Sequence, residues 1–132
     1  MTGDFPVSSI GIRHAVDFVA AGTEELGADP RIAHRLSVVV DEMVANMIRH
    51  DETLSEVTTF ALGLVIEAGG IRMTIRDPGI AFDPLAFEHN DVPEIGGHGI
   101  NLVKSLSREV SYRRTGNRNE LSVLVDSRSL DV

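Results

Sequence analysis

Glu42, Asn46 and His50 recur at four-residue steps. On an α-helix each such step turns about 40° around the axis, so the three share one strip. That strip flanks an apolar face centred near Met43 and Met47. A carboxylate and an amide oxygen placed there stand at the margin of a core, where a ligand could meet them. A solvated helix edge would carry the same pattern. Asp77-Pro78-Gly79 is a second candidate. A carboxylate at the end of a strand accepts hydrogen bonds and could read an amino group on a planar ring. Gly79 permits close backbone approach or a positive φ. An ordinary Asp-Pro-Gly turn is the alternative. The third candidate is Gly96-Gly97-His98-Gly99, which opens a short helix through Ile100 to Lys104. Glycines ahead of a helix N-terminus expose several amides, and the helix dipole adds positive potential. Such a cradle takes anions, phosphate being the usual one. A glycine-rich flexible loop is the competing reading.

Those residues need elements to hold them. Ile10, His14, Val16, Phe18, Val19 and Leu26 are spaced for a helix with one buried face, capped by Ser8 or Ser9 and ended by Gly27. Asp29-Pro30 starts a second helix, since proline suits the first helical position. Its apolar positions, Ile32, Leu36, Val39, Val40, Met43, Val44, Met47 and Ile48, run to about His50 and give the clearest periodicity in the chain. The period then changes to two. Thr58, Phe60, Leu62, Leu64 and Ile66 form one face of a strand, Gly69-Gly70 reads as a hairpin turn, and Ile71, Met73 and Ile75 alternate with polar residues. A long Pro-, Gly-, Asp- and Asn-rich loop runs from about Gly79 to Gly97, and such loops are usually functional or mobile. A short helix from Gly99 to about Leu106 follows. Val110 and Tyr112 lie on a strand, Gly116-Asn117 turns it, and Leu121, Val123 and Val125 lie on the last strand. This order predicts a single α+β domain over residues 1–132, a two-layer sandwich with helices on one face of a mixed, mostly antiparallel sheet.

Composition narrows the functions available. The 132 residues include 12 Lys+Arg and 20 Asp+Glu, a formal net charge of −8. Counterion release needs a basic surface, so nucleic acid is a poor partner, as is an anionic membrane. The absence of cysteine excludes disulfides, thiolate zinc sites and a cysteine nucleophile. The five histidines are not spaced as metal ligands. The longest apolar stretch, Val57 to Ile66, is far short of the ~20 residues of a membrane span, and no targeting segment is visible. A cytoplasmic protein is expected. Walker A is absent, because no Gly-Lys-Ser/Thr occurs. The dinucleotide fingerprint fails, because no third glycine follows Gly97-His98-Gly99.

Taken in order, Glu42-x-x-x-Asn46, Asp77-Pro78-Gly79 and Gly96-Gly97-His98-Gly99-Ile100 resemble the motifs of the GHKL (Bergerat-fold) ATPases. The resemblance runs from about Phe5 to Val125. His50 after Asn46, the run Ile80 to Pro84, the stretch Glu109 to Tyr112 and the small size are similar to the RsbW/SpoIIAB-type anti-sigma factor serine kinases. The resemblance implies ATP or ADP and Mg²⁺ as cofactors. Asn46 would hold the metal, and Glu42 would orient or deprotonate the attacking hydroxyl. Asp77 would accept from the adenine amino group, and Gly97 and Gly99 would bring backbone amides to the phosphates. His50, Gly79, Ala81, Gly96, His98 and Ile100 complete the expected nucleotide contacts, and residues 83–95 would form a lid. Ala81 stands where many members have a second glycine. Ile95 stands where some kinases have an arginine, and no Lys or Arg lies between Arg76 and Lys104.

Two functions compete. One is an ATP-dependent serine/threonine kinase that phosphorylates a STAS-type anti-sigma factor antagonist and switches between that partner and a sigma factor. A serine phosphatase would share the pathway, and the resemblance implies a homodimer. The other is a non-catalytic nucleotide-binding module that sequesters a regulatory partner. Glu42 favours the first; the lack of a lid cation favours the second. A sensor histidine kinase core fits poorly, since no dimerising helical hairpin with an acceptor histidine precedes the domain.

Overall fold

The computed structural model describes residues 1–50, 58–85 and 97–127. Its elements run β1 (Thr2–Pro6), α1 (Ser9–Glu25), α2 (Pro30–His50), β2 (Thr59–Glu67), β3 (Gly70–Asp77), α3 (Gly97–Leu106), β4 (Glu109–Thr115) and β5 (Arg118–Val125). The strands form one sheet in the order β1-β2-β3-β5-β4. Every neighbouring pair is antiparallel, so the expected mixed component does not occur among the described residues. Helices cover one face. The α+β two-layer sandwich is as predicted.

The second helix forms where its sequence dictates. Asp29 caps it, accepting from the Arg31 backbone N–H at 2.9 Å. Ile32, Leu36, Val39, Val40 and Val44 are essentially inaccessible and lie on the sheet. Truncating Leu36 to alanine would cost about 2–5 kcal/mol. From β3, Ile71, Met73 and Ile75 face the helices, and from β5, Leu121, Val123 and Val125 do the same. Arg72, Thr74 and Arg76 alternate onto the open face, as the two-residue period requires.

Four local expectations change. The first strand, β1, carries no alternating run long enough to announce itself, yet it pairs with β2 and seats Phe5 between Phe18 and Phe60, with ring centroids 5.4 and 5.8 Å apart. In α1, capped by Ser8 through a 3.0 Å bond from the Gly11 N–H, the buried face is Gly11, Ala15, Val19, Gly22 and Thr23. Ile10 is 64% exposed and His14 is exposed. Small residues bring this helix close to its neighbours, so the bulky side chains are displaced to the flanks. The β2–β3 turn is Ala68-Gly69 rather than Gly69-Gly70, with φ of 49° and 80°. Two positive φ values match the right-handed twist of a two-residue hairpin. The turn carries Ile66 past the helices, leaving it 52% exposed. The last helix starts at Gly97, two residues before the expected Gly99.

The open face of the sheet is an ionic lattice. Arg76 and Arg113 both donate to Glu120, at 2.8 and 3.0 Å. Arg72 donates to Glu67 at 2.7 Å, to Glu109 at 3.3 Å and to Ser122 at 3.0 Å. Burial pushes the Glu120 carboxyl up, but the hydrogen bonds and charges of Arg76 and Arg113 outweigh it and hold it below the usual glutamate value. These pairs solvate a face that no helix among the described residues covers.

Candidate functional site

Between α2, the ends of β3 and β5, and the loop after β3 lies an open cleft. Met43, Met47, Ile75, Ile80, Phe82 and Leu121 make its walls apolar, and Asn46, Asp77, Tyr112 and Asn119 supply its polar groups. Met43 and Met47, expected to be core residues only, therefore serve both the core and the cleft wall.

At one end stands Asp77, 8% exposed. Its Oδ1 accepts from the Gly79 N–H at 2.9 Å and from Asn119 Nδ2 at 3.1 Å. The first bond is the local Asx turn that Asp-Pro-Gly favours, because the proline between them has no N–H to compete. The turn reading and the ligand reading are thus compatible: Oδ1 serves the turn, while among the described residues Oδ2 accepts no bond. Gly79 is buried and does not take a positive φ. Its carbonyl accepts from Arg114 Nη1 at 2.8 Å. Ala81 is exposed beyond it on the same loop.

Beside Asn46, which lines the cleft, α3 meets α2. A Cβ added to Gly99 would sit 2.7 Å from Glu42 Oε2 and 3.6 Å from Asn46 Nδ2. The glycine helix start, the carboxylate and the amide are therefore in one place, and a side chain at position 99 would have to displace the Glu42 carboxylate. Glu42 and Asn46 are half-buried, the core-margin placement that the helical strip predicts. Among the described residues the Glu42 carboxylate has no hydrogen-bond partner. Asn46 Oδ1 accepts from Arg49 Nη2 at 2.7 Å. The first turn of α3 has no acidic residue and its last turn carries Lys104, so the positive N-terminal end of its dipole is not neutralised from within. Ile100 is 3% exposed and packs in the core, so only its backbone could serve a ligand. His50 and Gly97 lie in helices, as does His98, but the side chains of both histidines fall outside what the structure describes. Gly96, Ile95 and the lid from residue 86 onward also lie outside the described residues.

Four residues join the site that the motifs do not announce. Asn119 and Tyr112 line the cleft. Arg114 ties the Asp-Pro-Gly loop to β4. Arg49 places a guanidinium against Asn46, so a cation absent from the loop is supplied by α2. A signal for Asn119 existed in the strand ends: antiparallel pairing of β3 with β5 sets Asp77 opposite Asn119.

An octahedral Mg²⁺ takes hard oxygens and usually keeps phosphate and water among its ligands. No group of three His, Asp or Glu residues able to hold a metal by themselves occurs among the described residues. Asn46 lines the cleft with its Nδ2 toward Gly99, and its amide oxygen would suit a single protein ligand to such an ion. Arg49 would have to leave that oxygen.

Comparison with known proteins gives the family and the fold. A family model described as the histidine kinase-like ATPase domain matches residues 5–124. No curated protein matches. Among solved structures, a chain in the SiaB–SiaC complex from Pseudomonas aeruginosa superposes with a TM-score of 0.65 at 15% identity, over 95% of this chain and 88% of that one. The structure of the RsbU and RsbW domains of Rv1364c from Mycobacterium tuberculosis gives 0.63 at 12% identity, over 96% of this chain and 31% of that one. A blue-light activated histidine kinase from Erythrobacter litoralis gives 0.54 at 20% identity, over 74% and 31%. At these identities the likeness is one of fold.

Proposed function

Because the chain belongs to the histidine kinase-like ATPase domain family, we propose that its cleft binds Mg-ATP and that the protein is a serine/threonine kinase of a partner-switching regulatory system. The observation that carries this reading is that Gly99 converges on Glu42 and Asn46, while Asn46 and Asp77 line one cleft. An adenine base would lie between the methionines of α2 and Ile80 and Phe82, its amino group donating to Asp77 Oδ2. The phosphates would meet the amides at the start of α3, where Gly97 and Gly99 allow close approach, with Arg49 as the nearby cation. Asn46 would hold Mg²⁺, which supplies charge neutralisation at the phosphates when bound. Glu42 would take the proton from a seryl hydroxyl as that oxygen attacks the γ-phosphoryl group, leaving ADP. General-base help of this kind is worth about 10²- to 10⁴-fold, most of the remaining acceleration coming from positioning and charge.

The substrate would be a STAS-type antagonist, with a sigma factor as the competing partner and a phosphatase reversing the modification. The RsbW-type sequence features and the fold shared with chains named for SiaB–SiaC and RsbU–RsbW support that choice. A cytoplasmic homodimer belongs to the same proposal; no helix among the described residues is long and apolar enough to cross a membrane. The test is incubation with labelled ATP and the STAS protein encoded nearby. Phosphoserine on that protein is the expected result. Nucleotide-dependent complex formation without label would select the non-catalytic sequestering module.

A further inference from the structure

Asn119 is 7% exposed and makes five side-chain hydrogen bonds. Its Nδ2 donates to Asp77 Oδ1 at 3.1 Å and to the Ile80 carbonyl at 2.7 Å. Its Oδ1 accepts from the Tyr112 hydroxyl at 2.6 Å, from the Phe82 N–H at 3.2 Å and from Arg114 Nη1 at 3.2 Å. The two ends of an amide are of opposite character. Flipping this one would set an N–H₂ group against three donors and an oxygen against two acceptors. Its neighbours therefore dictate its orientation. Through that orientation Asn119 fixes three things at once: the plane of the Asp77 carboxylate, the path of the loop from Gly79 to Phe82, and the side of the cleft on which Oδ2 is left.

We propose that Asn119 is the positioning residue that sets base selectivity, making the cleft accept a 6-amino purine and reject a 6-oxo purine. The inference rests on the reading of Asp77 as the group that meets the base. An ionised carboxylate is acceptor-only, so Oδ2 attracts an exocyclic amino group and repels a carbonyl oxygen. That repulsion discriminates only if the carboxylate cannot turn away from it. The Gly79 N–H and the Asn119 amide, both on Oδ1, prevent the turn, and the Tyr112, Phe82 and Arg114 donors prevent Asn119 itself from yielding.

Asn119→Asp keeps the shape and reverses one end. A carboxylate oxygen would then face Asp77 Oδ1 and the Ile80 carbonyl, three acceptors together, and the pair of acids would have to share a proton. The other ionisable or charged groups facing position 119 are Tyr112 and Arg114 from β4. Arg76 and Glu120 pair with each other on the opposite face of the sheet. Tyr112→Phe removes one donor from the clamp with almost no change in volume.

The test is calorimetric titration of ADP and of IDP into the whole protein and into Asp77→Asn, Asn119→Asp and Tyr112→Phe, with folding checked by circular dichroism. The wild type is expected to prefer ADP by at least about tenfold, the worth of one charged hydrogen bond. Asp77→Asn loses the preference. Asn119→Asp loses it where both acids are ionised and regains most of it on acidification, as the pair takes up a proton. Tyr112→Phe reduces it by about twofold to threefold, and decides alone if Asn119→Asp does not fold. An unchanged ratio in Asp77→Asn would overturn the base reading and this proposal together. Loss in Asp77→Asn with wild-type ratios in the Asn119 and Tyr112 variants would overturn this proposal alone. So would a loss in Asn119→Asp that acidification does not restore, which is what a merely structural asparagine would give.

Discussion

At the Asp77 end of the cleft every polar side chain is engaged: Asp77, Asn119, Tyr112 and Arg114 form one hydrogen-bonded cluster that also holds the backbone at Gly79, Ile80 and Phe82. At the Gly99 end the reverse holds. Glu42 has no side-chain partner among the described residues, and Asn46 has Arg49 alone. The wired end is built before a ligand arrives, so binding there costs little ordering, and selection between ligands follows from fixed groups. The open end leaves its carboxylate without a hydrogen-bond partner among the described residues and its amide with one exposed arginine, which would suit groups that, under the proposed function, meet phosphate oxygens, a metal and an incoming hydroxyl. Under the proposed function, selectivity would lie at one end and chemistry at the other.

Variants at the two ends should therefore fail differently. The largest effect is expected from Glu42→Gln: phosphoryl transfer falls by about 10²- to 10⁴-fold while ADP affinity holds within about twofold. Labelled-ATP transfer and calorimetry measure the two quantities, and parallel losses would erase the division of labour. Next comes Asp77→Asn, with ADP binding weakened by about tenfold or more and with adenosine, which lacks phosphates, weakened equally. If adenosine binding were unaffected, Asp77 would not be the base end. Gly99→Ala ranks third. Its methyl group would press on Glu42 Oε2, the far end of a flexible side chain, so the melting temperature should change little while transfer drops several-fold, on the order of a misplaced catalytic group. A large fall in melting temperature would make Gly99 a packing residue instead.

The smallest effect is expected on the uncovered face of the sheet. Arg76→Met should leave nucleotide binding alone, since Arg76 points away from the cleft to Glu120. It should change acid sensitivity. The Glu120 carboxyl sits below its ordinary value of 4.5 because two arginines favour its charged form despite burial. A depressed acid contributes stability that is present above pH 4.5 and is lost as pH falls through the depressed value. Removing Arg76 shrinks that contribution, by about 1 kcal/mol or less after solvent screening, so thermal unfolding near neutrality should drop slightly and the acid dependence should flatten. A steeper acid dependence in the variant would contradict the assignment.

How much of this the sequence discloses differs between the same two ends. The Gly99 end was legible because one long helix carries both a core face and a polar strip, so the periodicity of Leu36, Val40, Met43 and Met47 fixes where Glu42 and Asn46 stand. Glycines announce a helix start locally, although the true start lies at Gly97. The Asp77 end was legible only in its local part, the Asp-Pro-Gly turn. Asn119 reaches Asp77 across 42 residues of sequence and Tyr112 across the β4–β5 hairpin, and no local pattern encodes such contacts. The first strand was hidden for a related reason: with Gly3 and Pro6 among its few residues it has little intrinsic preference, and pairing with β2 makes it a strand. In α1 the large apolar residues suggest one face, whereas glycine and alanine permit the contact that forms.

The account stands on a single nucleotide that spans both ends of the cleft. Backbone and side-chain amide NMR during titration with Mg-ADP tests this most directly. The expected result is one saturating set of shifts that includes Gly79, Phe82 and the Asn119 side-chain amide at one end and Gly99 and Ile100 at the other. Folded protein whose spectrum stays unchanged at millimolar Mg-ADP, or shifts confined to α1 and the ionic face of the sheet, would contradict it.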